Sequence, residues 1–214
     1  MSNVIDDSPE GRLRAAWTHF VAPETQLFDR VVTRHRERHR RYHRLEHVDS
    51  VVGHVADLAA HSGLDSHDLA LAVTAAIYHD AVYEPRSSAN ERASARLARR
   101  DLSALDWPPA QVDTIAAMIE GTSDHREPPD AATATLFDAD LAVLGSDAEV
   151  YEAYRVAIRQ EYHHVDDDGW TSGRADVLRS FLDRNTIYAT ESGRQRWEAP
   201  ARRNMADELT TLLA

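Results

Sequence analysis

Hydrophobic residues recur three or four positions apart along most of the chain, a spacing typical of α-helices that bury one face. Near the N-terminus, Leu13, Trp17 and Phe20 share one face of a helix that we expect to begin near Pro9. The segment 68–82 is apolar nearly all round, which predicts a helix buried on every side. Further helices are predicted over residues 133–144, 148–164 and 174–190. The pattern therefore predicts an all-α fold of roughly nine helices.

Length and composition agree with one compact body. The chain has 214 residues, enough for one sizeable hydrophobic core, and it contains only 8 Gly and 8 Pro. We expect a flexible N-terminal segment at residues 1–10 and a single helical domain at residues 11–214. The acidic stretch 166–169 is interpreted as a loop inside this domain and not as a domain boundary.

The charged residues exclude several classes of enzyme and partner. The net charge is 24 − 36 = −12, every basic residue is arginine, and cysteine is absent. The chain therefore lacks a Schiff-base or Walker-type lysine, a thiolate nucleophile, a disulfide and a cysteine-ligated metal site. The negative charge disfavours long nucleic acids and anionic membranes, and no apolar run is long enough to cross a bilayer. The acidic N-terminus does not resemble a secretion signal, so we expect a cytoplasmic protein.

Ionisable residues interrupt the most apolar segments. The buried helix predicted over 68–82 contains His79 and Asp80, and the apolar run around residue 140 contains Asp138 and Asp140. A buried carboxylate costs several kcal/mol unless a cation or strong donors accompany it. A third segment, further upstream, contains His43 and His47, which lie four apart and would share a helix face if the helix is already wound at His43. A structural His–Asp or Asp–Arg pair would compensate the buried acids, and so would one divalent ion shared by all three segments.

The order of these residues carries a resemblance to a known family. His47, then His79–Asp80, then Asp140 follow the H…HD…D signature of the HD-domain metal-dependent phosphohydrolase superfamily. The sequence resembles most closely a poorly characterised bacterial branch of that superfamily. The resemblance rests on the blocks 41–47 (RYHRLEH), 78–83 (YHDAVY), 90–95 (NERASA), 137–141 (FDADL), 159–162 (RQEY) and 201–204 (ARRN). It covers most of the chain from about residue 38.

The resemblance implies a helical bundle of the HD-domain type that binds one or two divalent ions, with Mn, Fe, Co, Ni, Zn and Mg all open. It implies His47, His79, Asp80 and Asp140 as ligands. Asp138 competes with Asp140 for its place, and His125 is a candidate for an extra ligand. The implied reaction is hydrolysis of a nucleotide or another small phosphate ester by metal-activated water.

Further roles follow from general chemistry. Asp80 or Glu84 could orient or deprotonate the water. Arginine binds phosphate through two parallel hydrogen bonds, which makes Arg38, Arg41 and Arg159 the candidates for substrate binding. Arg159 could equally be a structural partner of Asp138. We interpret His43 as a substrate-facing imidazole, and a plain capping role remains open. We expect a small phosphorylated substrate and no membrane or long nucleic acid; a homodimer stays open.

Three other functions stay open at this stage. The segment 43–47 also matches the H-x-x-E-H pattern of inverted zinc peptidases, with Glu46 as the base. The chain could instead be a catalytically silent module that binds metal or nucleotide. A diiron oxygenase would need His125 or His163 as an added ligand. His163 and His164 precede several acids, but a solvated loop explains that cluster better than a metal site.

Overall fold

The computed structural model describes residues 6–214 and confirms the all-α prediction for that part of the chain. Ten of its α-helices have ten or more residues, slightly more than the nine expected. The α-helices are α1 (Pro9–Phe20), α2 (Gln26–His35), α3 (Leu45–Ser62), α4 (Ser66–Tyr78), α5 (Asn90–Ala104), α6 (Pro109–Gly121), α7 (Ala131–Asp140), α8 (Ala148–Glu161), α9 (Asp167–Leu182), α10 (Glu191–Gly193) and α11 (Ala199–Leu212). A 3-10 turn, Leu141–Gly145, extends α7, and a π-turn, Arg194–Glu198, joins α10 to α11.

Short polar side chains fix where several helices begin. The carboxylates of Asp65, Asp130, Asp147 and Asp166 each accept a hydrogen bond from the backbone N–H three residues on, at the starts of α4, α7, α8 and α9. Such caps satisfy N–H groups that have no partner inside the helix. At the other end of α3, Gly63 adopts a φ of +70°, a left-handed conformation that glycine reaches without strain. Local sequence therefore sets these helix boundaries.

Two apolar clusters form the interior. The larger one is built from α1 to α7, and α4 lies at its centre with every residue from Leu71 to Tyr78 buried. The smaller one joins the turn after α7 to α8, α9, the segment 187–188 and α11. Trp197 packs against both clusters. The metal-ligand candidates described below lie where α7 passes from the larger cluster to the smaller one.

The C-terminal third departs from the sequence-based expectation. A helix was predicted over 174–190, but α9 runs from Asp167 to Leu182 and residues 183–190 form an irregular segment. The stretch 166–169 is not a loop, because Asp166 caps α9 and residues 167–169 form its first turn. Acids at the first turn complement the helix dipole, so this cluster marks a helix start.

Two expectations concern the N-terminus and membranes. Of the segment 1–10, residues 1–5 lie outside the described part of the chain. Helix α1 begins within that segment, at Pro9, after Ser8 as the N-cap. Among the described residues, no helix combines the length and the apolar character needed to cross a membrane.

Candidate metal centre

Four ionisable side chains from three stretches of sequence meet at one point. His47 lies in the first turn of α3, His79 and Asp80 follow directly after α4, and Asp140 is the last residue of α7. Helices α3, α4 and α7 pack against one another, which brings the start of α3 to the ends of the other two. The structure therefore brings together the four residues that the resemblance implies as ligands.

The donor atoms of His47, His79 and Asp80 are spaced as ligands of one shared ion, and Asp140 faces both imidazoles. Nε2 of His47 lies 3.2 Å from Nε2 of His79, 3.4 Å from Oδ2 of Asp80 and 3.2 Å from Oδ1 of Asp140. Nε2 of His79 lies 3.2 Å from the same Asp80 oxygen and 3.4 Å from the same Asp140 oxygen. Donors about 2.1 Å from one ion lie about 3.0 Å apart at adjacent octahedral positions and about 3.4 Å apart in a tetrahedron. His47, His79 and Asp80 thus form a group that could hold a metal ion.

The orientation of His79 also suits a ligand. Its Nδ1–H donates to the carbonyl oxygen of Ala76 at 2.7 Å, one turn back along α4. In the neutral ring this hydrogen bond fixes the tautomer in which Nε2 carries the lone pair, and Nε2 is the nitrogen that faces the other donors. The assignment follows from chemistry, because a carbonyl oxygen only accepts.

The charges at the centre depend on one another. Burial disfavours the charged form of His79, but the carboxylates of Asp80 and Asp140 outweigh it and hold the pKa of His79 well above its ordinary value. Burial would likewise raise the pKa of both acids, but the facing imidazoles hold the pKa of Asp80 and of Asp140 well below the ordinary range. The cluster is therefore organised around two anionic carboxylates that require positive charge between them.

His125 completes the environment of Asp140. Its Nε2 lies 2.8 Å from Oδ2 of Asp140, the carboxylate oxygen that does not face His47 and His79. His125 follows α6 with a φ of +52°, and Arg184 donates to its carbonyl oxygen at 3.1 Å. The structure brings His125 to the edge of the centre, where it orients Asp140. A role as an extra ligand stays a prediction.

Asp138 does not reach the centre. Its carboxylate accepts hydrogen bonds from the backbone N–H groups of Ala189 and Thr190, at 2.7 and 2.8 Å, and from the hydroxyl of Thr190 at 2.6 Å. Asp138 thus anchors the irregular segment before α10. The structure places Asp140 at the centre instead, because the two residues lie on different faces of α7.

A buried glutamate that the sequence reasoning missed organises the turn before α3. Oε1 of Glu161 accepts from the backbone N–H groups of Arg41, Tyr42 and His43, at 2.6 to 3.1 Å. Its Oε2 accepts from Nδ1 of His43 at 2.7 Å and from the hydroxyl of Tyr83 at 2.8 Å. Nε2 of His43 then lies 4.0 Å from Oδ2 of Asp80. Glu161 therefore fixes the side of His43 that faces the centre.

Arg40 is a second residue that the sequence reasoning missed. Its guanidinium is buried and donates to the carbonyl oxygens of His43, Asp80 and Ala81, at 3.0, 2.8 and 3.3 Å. It ties the turn before α3 to the chain after α4. Nothing in a run of arginines marks the one that is buried, whereas Glu161 continues the inward-facing positions of Tyr151, Tyr154 and Ile158 on α8 and was open to detection.

Several proposed site residues lie away from the four donors. Glu84 is exposed and accepts from the N–H of Arg86, and Arg38 is exposed as well. Arg159 does not pair with Asp138, because it donates to the carbonyls of Tyr162 and Val165 and to Asp167. The structure therefore does not bring Glu84, Arg38 or Arg159 to the centre.

The peptidase and the oxygenase alternatives each require particular ligands, and the structure places these ligands differently. Helix α3 begins at Leu45, so His43 precedes the helix and does not share a helical face with His47. The donors of an H-x-x-E-H site would therefore not be set by one helix. Nδ1 of the exposed His163 faces the carbonyl of Gln160, whereas His125 adjoins Asp140. Of the two candidates for the added ligand of an oxygenase, the structure brings His125 to the edge of the centre and not His163.

Two cavities open beside the centre. The larger, about 700 Å³, is bordered by His47, Asp140 and Arg41. It is also bordered by Arg44, a residue that the sequence reasoning did not single out. The smaller, about 190 Å³, reaches Asp140 from the side of His43 and His125. The rings of Tyr42 and Tyr154, 4.8 Å apart, line both. The centre is thus accessible from two sides.

No family model, curated protein or solved structure matches this chain. The function therefore has to be argued from the site itself.

Proposed function

We propose that this protein is a metal-dependent phosphohydrolase that acts on a nucleotide or another small phosphate ester, on a helical scaffold of the HD-domain type. The observation that carries the proposal is that one oxygen of Asp80 and one oxygen of Asp140 each lie 3.2 to 3.4 Å from Nε2 of both His47 and His79. The order of these donors along the chain supports the same function. With only N and O donors, Mn, Fe, Co, Ni, Zn and Mg all suit the site.

In this proposal His47, His79, Asp80 and Asp140 hold the ion. A divalent ion at this place lowers the pKa of a water molecule and offsets charge on a phosphate, the two requirements of phosphoester hydrolysis. Water adds its oxygen to phosphorus, the bond from phosphorus to the ester oxygen breaks, and the departing alcohol takes up a proton. Proton transfer and binding of the phosphate are left to side chains of the protein.

His43 is the side chain best placed to handle a proton at the reacting group. Its Nδ1–H is held by Glu161, so Nε2 is directed towards the centre. The 4.0 Å between this nitrogen and Oδ2 of Asp80 leaves room for a bridging oxygen atom of water or substrate. Because Glu84 is exposed and its carboxylate accepts from the N–H of Arg86, His43 replaces Glu84 as our candidate, and Asp80 keeps its proposed role of orienting water.

Arginine side chains supply the charge that attracts an anionic substrate. Arg41 and Arg44 border the larger cavity and are exposed. Within residues 6–214 the Arg41 guanidinium donates to the carbonyl oxygens of Arg38 and Arg40, at 2.5 and 2.9 Å. Carbonyl partners leave its positive charge uncompensated, in contrast to an ion pair, so Arg41 is suited to bind phosphate.

The proposal is tested by element analysis of the purified protein followed by a panel of nucleotides and phosphate esters. We expect a bound divalent ion and release of phosphate or pyrophosphate from at least one compound. Asp80→Asn should abolish both, and Asp207→Asn, an exposed acid on α11, should change neither. Tight metal binding with no release across the panel would contradict catalysis and leave a metal-binding module.

A second experiment separates the role of His43 from that of the ligands. His43→Gln should lower kcat by on the order of a hundredfold while retaining the metal, since general acid–base residues contribute about 10²–10⁴. His67→Gln, on an exposed histidine of α4, is the matched control. Unchanged kcat in His43→Gln would remove His43 from the mechanism.

A further inference from the structure

The smaller cavity has one polar end and one apolar end. The polar end consists of Asp140, His43 and His125. The rest of its wall is largely apolar and comes from the turn after α7, from α8, α9 and α11. The apolar residues of this wall include Leu144, Ile158, Val177, Leu178, Phe181 and Met205.

The one charged group in the apolar part of that wall needs no ligand. The Arg174 guanidinium donates through Nε and Nη2 to Glu208, at 2.8 and 3.0 Å, and through Nη1 to the hydroxyl of Tyr154 at 3.2 Å. Its charge is compensated by a buried carboxylate inside the protein. Away from Asp140, a ligand therefore meets mostly apolar side chains and a guanidinium whose charge is already balanced.

From this arrangement we infer that the smaller cavity binds an apolar group of the substrate, a short alkyl chain or a single ring attached to the phosphate. The inference rests on the proposed function and narrows it from phosphate esters in general to esters with an apolar substituent. The volume is sufficient, because about 190 Å³ exceeds the roughly 150 Å³ of an apolar cavity known to bind benzene. At about 30 Å³ for each water-sized group, it takes about six carbons.

The larger cavity is the less suitable place for that group. Its wall carries Arg41, Arg44, Glu46 and Asp147, whose charges would lose hydration against an apolar ligand. The larger cavity suits the entry of water and of the charged phosphate group. The smaller cavity instead places an apolar group on the side of His43, which adjoins Asp80, and of His125, which adjoins Asp140.

The chain offers three matched valines for a test. Val177 lines the smaller cavity, Val150 lines the larger one, and Val156 lines neither. Their exposed fractions are nearly equal, at 45%, 49% and 47%. Replacing each with Trp therefore adds the same bulk at sites that are similarly exposed, and only Val177→Trp obstructs the smaller cavity.

The probes are alkylphosphonates with one to ten carbons, which are not hydrolysed, titrated calorimetrically into the metal-loaded full-length protein. We expect the Kd to fall about three- to fourfold for each added methylene and to level off near six carbons, since each buried methylene contributes about this factor. Val177→Trp should weaken hexylphosphonate binding at least tenfold and leave methylphosphonate binding within twofold. Val150→Trp and Val156→Trp should leave the whole series within twofold.

A flat series in the wild-type protein, or a loss caused by Val150→Trp or by all three variants alike, would overturn the inference. Should Val177→Trp fold poorly, Phe181→Ala replaces it: a larger cavity should shift the plateau to longer chains, and an unshifted plateau counts against the inference. Hydrolysis of the matching alkyl phosphates separates the two proposals. Release of phosphate without a preference for chain length would contradict only this inference. Binding that depends on chain length, without release of phosphate from any ester, would contradict only the proposed function.

Discussion

Two clusters of buried charge in this bundle differ in how their charge is balanced. In the C-terminal half, Glu208 accepts two hydrogen bonds from Arg174 and one from the hydroxyl of Tyr151. At the candidate metal centre, Asp80 and Asp140 face two imidazoles, which carry positive charge only when protonated. The first cluster brings its own permanent cation, and the second does not.

The difference distinguishes a structural ion pair from a binding site. An arginine is charged at every accessible pH and is fixed in place by its planar hydrogen bonds, so the Arg174–Glu208 pair is complete. Histidines that face acids can release their protons when a divalent ion takes the place between the acids, and the freed nitrogens then bind the ion. Both clusters contain acids that are largely withdrawn from solvent, and the identity of the cation tells them apart. This comparison leads to four predictions.

The largest expected effect is the loss of the structural pair. Glu208→Ala leaves Arg174 buried and uncompensated, and breaking a buried pair in this way costs about 3–5 kcal/mol of unfolding free energy. The measurement is urea denaturation with and without divalent metal, and the loss should be the same in both. Asp207→Ala, one residue earlier and exposed, should stay within about 0.5 kcal/mol.

Replacing both members of the pair tests whether the lost stability comes from the uncompensated charge of Arg174. Arg174→Met combined with Glu208→Leu should recover most of the stability, because apolar residues of similar volume often replace a buried pair without loss. A cost below about 1 kcal/mol for Glu208→Ala would show that the pair does not stabilise the C-terminal half.

The next prediction concerns pH and Glu161, which resembles Glu208 in having all its acceptor oxygens occupied. Burial alone would raise the pKa of Glu161, but hydrogen bonds from His43, from the N–H of Arg41 and from Tyr83 lower it to about 2. The pKa of an unfolded glutamate is about 4.3, so this stability is fully present above that pH and is lost as the pH falls towards 2. The shift corresponds to about 3 kcal/mol.

The measurement is urea unfolding of metal-free wild type and Glu161→Gln between pH 7 and pH 2. The difference between the two should be largest at pH 7 and shrink through the window from about 4.3 to 2. A difference that is independent of pH in this window would show that the carboxylate is not held in its charged form.

The two clusters differ in how far their residues and partners can be predicted from the sequence. His79–Asp80 and Asp140 interrupt apolar runs of the sequence, and their order resembles a known signature, so the four residues were predicted and the structure brings them together. Arg174 and Glu208 lie on amphipathic helices where a charged residue is ordinarily solvated. Their pairing depends on how α9 packs against α11, and the start of α9 was itself predicted wrongly, because a cap at Asp166 was taken for a loop.

The third prediction concerns metal removal. A ligand that binds only the folded state stabilises it by about 2.7 kcal/mol at one hundred times its Kd. The wild-type protein should therefore gain about that much when a bound divalent ion is present at this excess, measured by thermal or urea unfolding before and after chelation. Asp140→Asn should gain far less, because the amide supplies no charge. An equal gain in Asp140→Asn would place the ion elsewhere in the protein.

The smallest expected effect concerns the group that orients a ligand. His125 holds Oδ2 of Asp140 at 2.8 Å and leaves Oδ1 to face His47 and His79. Loss of such an outer partner commonly costs 10–100-fold in metal affinity, so His125→Ala should raise the Kd by about that factor in a competition titration with a chelator. His67→Ala, on an exposed histidine, should leave the Kd unchanged. A loss as complete as that expected of Asp140→Asn would make His125 a ligand in its own right, whereas no change would show that the end of α7 alone sets the orientation of Asp140.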